Sequence, residues 1–203
     1  MANVVAVLNF KGGVGKTTLA TTLWAHGVCA GYSIVIVDAD PQGDATKFAI
    51  GATAMRHVPH GGGVEALASP NGTLARGLFQ WNSPDELPAG VVHESGIVPR
   101  GMVIPATPFW SVQNADGLVL DALPFDVVLV DTPPTIPVSL FRSIAGQATT
   151  VVAPVELESY ACQNVPNLLS EINAAGRGDL LANGGLRLVV NKRSRCATHK
   201  VWE

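Results

Sequence analysis

Residues 9–18 read N-F-K-G-G-V-G-K-T-T, and this stretch decides the fold. It matches the phosphate-binding pattern G-x-x-x-x-G-K-[ST] once the first glycine is relaxed, because Lys11 stands next to where the pattern begins. The apolar run at residues 4–8 predicts a buried strand before it, and a helix is predicted from Thr17 onward. A glycine-rich turn without a ligand is the alternative, but a G-K-T triplet between a strand and a helix seldom arises by chance.

The residue types in this loop suit the binding of an anion. Glycines let consecutive backbone N–H groups turn inward without clashes of Cβ atoms, and the start of the helix adds partial positive charge. We expect Lys16 to reach the β- and γ-phosphates of a nucleotide and the Thr17 hydroxyl to bind Mg²⁺. The candidate nucleotide-binding residues of the loop are Gly12, Gly13, Val14, Gly15, Lys16, Thr17 and Thr18.

Length and composition indicate one α/β domain over residues 1–203. The formal charge of −3 gives the whole molecule no general attraction to nucleic acid or membrane, so a DNA contact would need a local patch. Three widely spaced cysteines indicate reduced thiols, and Cys29 is predicted to pack in the core. No signal peptide, transmembrane span or lipidation motif is recognised, so the expected location is the cytoplasm.

Apolar runs and helical periodicity predict a doubly wound, mostly parallel sheet flanked by helices, of the P-loop NTPase type. Gly31 is the predicted stop of the first helix. The predicted strands are residues 4–8, 33–37, 102–106, 126–131, 150–155 and 186–190, and the predicted helices are residues 17–30, 64–79 and 165–174.

Acidic residues follow two of these strands. The second strand ends in D-A-D-P-Q-G, which begins at Asp38 and includes Asp40. The strand at residues 126–131 ends in Asp131 and continues into T-P-P. An acid at the carboxyl edge of an apolar strand is where a residue that organises Mg²⁺ is expected, and the phosphate loop strengthens this assignment.

Residues 51–99 carry no motif. His57 and His60 flank a run of three glycines, but no Cys or carboxylate stands at ligand spacing, so a polar loop is favoured over a metal site. Trp81 and Trp110 are interpreted as packing residues rather than platforms for stacked bases.

Three motifs in order, K-G-G-V-G-K-T-T, D-A-D-P-Q-G and V-D-T-P-P, resemble those of the ParA/MinD family of deviant Walker-A ATPases. The D-x-D-P-Q-G motif is most similar to the partition (Soj-like) branch, and the resemblance extends from residue 4 to about residue 200. It implies an ATPase that uses ATP and Mg²⁺ and forms a homodimer when ATP is bound.

The resemblance also implies roles for individual residues. Lys11 is similar to the signature lysine that reaches the partner's ATP, with a solvated loop lysine as the alternative. Asp40 would position the attacking water and could also contact Mg²⁺; the alternative is that it caps a helix. Asp131 would hold Mg²⁺ through a water. Asn191 would contact adenine, with Pro154 lining the base, or simply cap its strand. Asp38 is expected to support the loop by hydrogen bonds.

Two departures from the family pattern stand out. Asp44 occupies a position where the partition branch more often has Asn, and its charge near the γ-phosphate could slow hydrolysis or raise the Mg²⁺ requirement, unless it faces the surface. The strand and helices that usually follow the Asn191-type strand are missing, which indicates a short variant or a fragment. The basic run Lys192, Arg193, Arg195 and Lys200 is either a DNA-contacting patch or the solvated start of a helix.

The function implied is an ATP-dependent dimerisation switch for plasmid or chromosome partition, with slow hydrolysis to ADP and phosphate. Its expected partners are non-specific DNA and a centromere-binding or other adaptor protein that stimulates hydrolysis, and it would associate with the nucleoid if it binds DNA. The alternatives are an ATPase that positions a cellular body, such as a microcompartment or chemoreceptor cluster, and an accessory ATPase of replication or conjugation. A membrane-bound regulator is disfavoured because residues 195–203 are too short for an amphipathic basic helix, and a metal-cluster enzyme because the cysteines do not converge.

Overall fold

The computed structural model describes residues 1–50, 101–106, 118–156 and 164–191. Within these residues lies one six-stranded sheet in the order β3-β2-β4-β1-β5-β6, and every neighbouring pair of strands is parallel. The strands are β1 (Asn3–Val7), β2 (Ile34–Asp38), β3 (Gly101–Ile104), β4 (Val127–Asp131), β5 (Thr150–Glu156) and β6 (Leu186–Asn191). The helices are α1 (Lys16–Cys29), α2 (Asp44–Ile50), α3 (Val138–Gln147), α4 (Asn164–Ala174) and α5 (Gly178–Ala182).

Alternation along the strands builds a separate core on each face of the sheet. In β2, Val35 and Val37 pack in the core that also contains residues of α3 and α4, whereas Ile34 and Ile36 pack in the core under α1 and α2. All five residues of β2 are buried. Because helices cover both faces of this central parallel strand, its sequence is a continuous apolar run. This run is the pattern from which the strand was predicted.

The central strand β1 lies between β4 and β5, so the chain winds outward from it in both directions. The helix α1 that follows β1 covers one face, and the helix α3 that follows β4 covers the other. Loops that leave neighbouring strands toward opposite faces open a crevice at the carboxyl edge of the sheet. The phosphate loop, residues 9–18, begins at this crevice.

The predicted fold class and six predicted strands are confirmed, with bounds shifted by at most two residues. The first helix ends at Cys29, and Gly31 follows it with a positive φ of 88°. The prediction that Cys29 packs in the core is wrong: it is exposed, because it lies about 140° around the helix from the buried Trp24. The predicted helix at residues 64–79, His57, His60, Trp81, Trp110 and the basic run at residues 192–200 lie outside the described residues.

Three helices were not predicted: α2, α3 and α5. Among the described residues, no helix combines the length and apolar character needed to cross a membrane.

Candidate nucleotide site

The phosphate loop is held in shape by its glycines and by one aromatic contact. Gly13 and Gly15 have φ angles of 73° and 91°, in the left-handed region that favours glycine, and Gly15 is the N-cap residue of α1. Phe10 stacks on Phe141 of α3 with ring centroids 4.9 Å apart, which anchors the start of the loop to the opposite face. The loop therefore presents the N-terminal end of α1 at the crevice, as anion binding requires.

Lys16 is buried at the mouth of this loop. Its Nζ donates a hydrogen bond of 2.9 Å to the Lys11 carbonyl. Burial lowers the pKa of Lys16, while the nearby Asp131 and Asp40 carboxylates partly oppose that shift. An ammonium group withdrawn from water interacts more strongly with an incoming phosphate than an exposed one does, so this position suits the predicted contact with the β- and γ-phosphates.

Asp38 stabilises the segment behind the site. One of its oxygens accepts hydrogen bonds from the Thr46 backbone N–H (2.7 Å) and the Thr46 hydroxyl (2.6 Å), and the other accepts one from the Asp40 N–H (3.2 Å). Burial raises the pKa of Asp38 to about 6, although the Thr46 hydrogen bonds oppose the rise. Asp38 thus caps the first turn of α2 and holds the loop that carries Asp40, as the sequence predicted for a supporting residue.

Asp131 lies beside Asp38 on the neighbouring strand, in register with it. Burial raises the pKa of Asp131 to about 7, and the negative charge of Asp38 adds to the rise. Among the described residues, neither carboxylate oxygen has a hydrogen-bond partner, although the nearby Thr17 hydroxyl and Thr132 backbone N–H partly oppose the rise in the pKa of Asp131. A buried carboxylate with both oxygens unsatisfied, beside a threonine hydroxyl, fits Mg²⁺ or a water bound to Mg²⁺.

Asp40 faces the same space from the end of β2. It is buried, and one carboxylate oxygen accepts a 2.9 Å hydrogen bond from the Gln42 N–H, which closes a tight turn. Its backbone carbonyl accepts a second bond, from the Gly43 N–H. The alternative role of Asp40 as a helix cap is filled by Asp38 instead.

Lys16 and Asp40 line a cleft of about 510 Å³, a volume within the range typical of ligand sites. We call it the nucleotide cleft; it is lined by Gly13, Gly15, Lys16, Thr17, Thr18, Asp40, Asp44, Thr132, Pro134 and Asn191. Of the predicted site residues, Gly12, Val14, Lys11, Pro154 and Asp131 do not line it. Thr132 and Pro134 were not predicted as site residues, although their position directly after β4 was a usable signal.

Asp44 borders the nucleotide cleft and is also exposed. Its carboxylate pairs with Lys47 one turn later in α2, at 2.7 Å. The two alternatives for Asp44, a charge near the phosphate site and a residue that faces the surface, thus both hold in part. Its carboxylate lies at the cleft, is exposed, and is neutralised by the ammonium of Lys47.

Lys11 does not line its own nucleotide cleft. Its ammonium forms an ion pair of 2.6 Å with Glu156 at the end of β5, a residue that the sequence analysis did not select. Its backbone N–H donates to the side chain of Asn9 at 2.8 Å, and Asn9 in turn donates to the Pro154 carbonyl at 2.7 Å. Pro154 thus anchors the phosphate loop to β5 through its backbone.

Asn191 approaches the phosphate loop at the end of β6. Its side-chain amide donates a hydrogen bond of 2.9 Å to the Val14 carbonyl. It lines the nucleotide cleft as the adenine-contact prediction requires, but its contact with the loop itself was not foreseen. The predicted adenine contacts of Asn191 and Pro154 remain predictions.

Comparison with known proteins agrees with this geometry. Residues 5–192 match the family model described as the CobQ/CobB/MinD/ParA nucleotide binding domain. The chain is 32% identical over 188 residues to the chromosome-partitioning ATPase Soj of Thermus thermophilus, covering 91% of this chain and 66% of that protein.

Solved structures share the fold. Cobyrinic acid a,c-diamide synthase from Mycobacterium smegmatis, with bound ATP analog and magnesium, superposes with a TM-score of 0.66 at 23% identity over 93% of this chain and 70% of that one. A plasmid partition protein from Borrelia burgdorferi gives 0.70 at 15% identity over 99% and 84%. Because the family model spans nearly the whole sequence, the chain belongs to the CobQ/CobB/MinD/ParA family of nucleotide-binding domains.

Proposed function

We propose that this chain binds ATP with Mg²⁺, hydrolyses it slowly, and uses the cycle as a dimerisation switch in DNA partition. The observation that carries the proposal is that Lys16, Thr17 and Asp40 line the nucleotide cleft at the carboxyl edge of the sheet. The buried Asp131 carboxylate lies behind this lining, near enough to interact with Lys16 and Thr17. Phosphoryl transfer to water needs mainly positioning and neutralisation of charge, and these groups provide both. Residues 1–203 act as one ATPase domain in this proposal.

In this proposal the nucleotide lies in the cleft with its triphosphate toward the phosphate loop. The triphosphate would lie on the N-terminal end of α1, where backbone N–H groups and Lys16 neutralise its charge. Mg²⁺ would be held by the Thr17 hydroxyl and, through a water, by Asp131, and it would neutralise charge on the β- and γ-phosphates. Asp40 would then orient the attacking water, since its second carboxylate oxygen is not engaged in the turn hydrogen bond with Gln42.

The switch would operate through Lys11. In the ATP-bound dimer the Lys11 ammonium would contact the phosphates of the partner subunit, which requires it to leave Glu156. The ion pair with Glu156 therefore opposes dimerisation, and the attraction of a triphosphate in the partner's cleft favours it. ATP, with its γ-phosphate, would shift this balance more than ADP.

The partition role is supported by the relatives. The similar proteins include one named a chromosome-partitioning ATPase and one named a plasmid partition protein. We propose that the ATP-bound dimer binds DNA without sequence preference, through a local patch that includes Arg193 and Arg195, and that an adaptor protein stimulates hydrolysis to release it. Because the molecule carries a net charge of −3, two copies of the patch on one dimer are needed for useful affinity.

The test is to measure molecular mass by light scattering and DNA retention by filter binding, each with ATP, with ADP and without nucleotide. We expect dimers and salt-sensitive DNA binding only in the presence of ATP, and neither with ADP nor without nucleotide. A chain that remains monomeric with ATP, or that binds DNA equally in all three conditions, would contradict the switch.

A further inference from the structure

The side chain of Asn191 connects the end of β6 to the phosphate loop. Asn191 lies 177 residues after Val14 in the sequence, yet its Nδ2 donates a 2.9 Å hydrogen bond to the Val14 carbonyl. The strand β6 is the last in the sheet, two strands away from β1, from which the loop emerges. The contact therefore joins the outermost strand on this side to the residues that bind phosphate.

A second observation shows that the loop is built around this side chain. A Cβ atom placed on Gly15 would overlap the Nδ2 atom of Asn191, so the amide fills the space that any other residue at this position would need. Gly15 also has a φ of 91°, which few side chains tolerate. The glycine preceding Lys16 thus serves the close approach of Asn191 as well as the turn of the backbone.

We infer that Asn191 is a positioning residue for the phosphate loop, which raises nucleotide affinity by holding the loop in its binding conformation. In a trans peptide the C=O and N–H bonds point in opposite directions, and the described peptide bonds contain no cis form. The hydrogen bond that fixes the Val14 carbonyl therefore fixes the direction of the Gly15 N–H as well. A loop held in this way loses less conformational entropy when it closes on a phosphate, which improves affinity.

The inference rests on nucleotide binding at this cleft and makes a different prediction from a contact with adenine. Removal of a base contact weakens the binding of ATP but leaves that of inorganic tripolyphosphate unchanged, since tripolyphosphate has no base. Removal of a loop-positioning residue weakens both by a similar factor. Loss of one hydrogen bond of this kind corresponds to about a fivefold to tenfold loss of affinity.

The experiment compares Asn191→Ala with the unaltered chain by calorimetric titration of ATP and of tripolyphosphate, both with Mg²⁺. Asn183→Ala is the matched control, because Asn183 is exposed and lies just before β6, at the far end of the strand from the cleft. We expect a fivefold to tenfold weakening for both ligands in Asn191→Ala and none in Asn183→Ala. Weakening for ATP alone would overturn the inference in favour of base recognition.

A second measurement needs no ligand. Hydrogen exchange of the amides in residues 12–18 should accelerate in Asn191→Ala relative to Asn183→Ala, with unchanged exchange in the core of β1. Unchanged exchange in the loop would also overturn the inference. Neither the titrations nor the hydrogen exchange depends on hydrolysis, dimerisation or DNA. Both would therefore still test the role of Asn191 if the proposed role in DNA partition were wrong.

Discussion

The ion pair between Lys11 and Glu156 makes a quantitative prediction about assembly. Glu156→Gln removes the negative charge while keeping the shape of the side chain. In the proposed switch this variant releases Lys11 more readily, so the ATP-bound dimer should become tighter. The structure sets the scale of the effect, because the pair is short, at 2.6 Å, and its side chains are 34% and 12% exposed.

The magnitude lies between two limits. Fully exposed ion pairs contribute about 0.2–1 kcal/mol, whereas hydrogen bonds to charged groups in protected positions contribute about 1.5–3 kcal/mol. For a half-buried pair such as Lys11 with Glu156, we take a contribution of about 1–2 kcal/mol. Because the glutamine of Glu156→Gln can still accept a neutral hydrogen bond from Lys11, the substitution removes only about 1 kcal/mol of it. Each dimer releases two lysines, so the change approaches 2 kcal/mol, or about a thirtyfold tighter dimer.

The assay is sedimentation velocity over a range of protein concentrations with a non-hydrolysable ATP analogue. Glu171→Gln is the matched control, since Glu171 pairs with Arg142 on α3 at 2.9 Å, away from the nucleotide cleft. We expect a tighter dimer for Glu156→Gln and an unchanged one for Glu171→Gln. A Glu156→Gln dimer as weak as the unaltered one, or weaker, would refute the reasoning that the ion pair competes with dimerisation.

Three further predictions concern Lys11, Asp131 and the basic run after β6. Lys11→Ala should bind ATP as a monomer and fail to dimerise; ATP-dependent dimers of this variant in light scattering would refute the role of Lys11 across the interface. Burial raises the pKa of Asp131 from 3.8 to about 7, so the stability this group contributes to the Mg²⁺-free protein is fully present below pH 3.8 and is lost as the pH rises through 7. Stabilisation by Mg²⁺, which needs the carboxylate, should grow over the same window. Asp131→Asn should weaken both trends, and the Mg²⁺-free protein should keep the part of its trend that comes from Asp38, whose pKa is raised to about 6. Thermal melts from pH 5 to 8 with and without Mg²⁺ test this, and an unchanged Mg²⁺ effect in the variant would contradict it. The double change Arg193→Ala/Arg195→Ala should lower the salt slope of DNA binding by about two units, and an unchanged slope in a salt titration with ATP would show that DNA binds elsewhere.

Most of the sheet was predictable because its strands are covered on both faces. The central strands are buried at nearly every position, so their sequences are continuous apolar runs that stand out from the surrounding residues. The sequence of α3 also contains a helical pattern of apolar residues, although this helix was not predicted. The residues of that pattern lie on one face of the helix and are all buried: Leu140, Phe141, Ile144 and Ala145. The short helices α2 and α5 have too few turns for periodicity to identify them.

In the candidate site, the features that are local in sequence could be predicted, and those that join distant residues could not. The phosphate loop is contiguous and its glycines have a direct backbone role, so a motif is enough to identify it. The ion pair of Lys11 with Glu156 and the bond from Asn191 to Val14 join residues 145 and 177 positions apart, which no local pattern encodes. The two Asp131 oxygens, which have no hydrogen-bond partner within the described part of the chain, likewise could not be recognised from the sequence, because their burial depends on the packing of β4.

The central claim is that the nucleotide cleft binds and hydrolyses ATP with Asp40 orienting the water. Its most direct test is ATP turnover measured together with ATP affinity for Asp40→Ala and Lys16→Ala. We expect Asp40→Ala to keep its affinity for ATP and lose turnover, and Lys16→Ala to lose ATP binding, because the Lys16 ammonium would neutralise the β- and γ-phosphates. Turnover in Asp40→Ala equal to that of the unaltered chain would contradict the account.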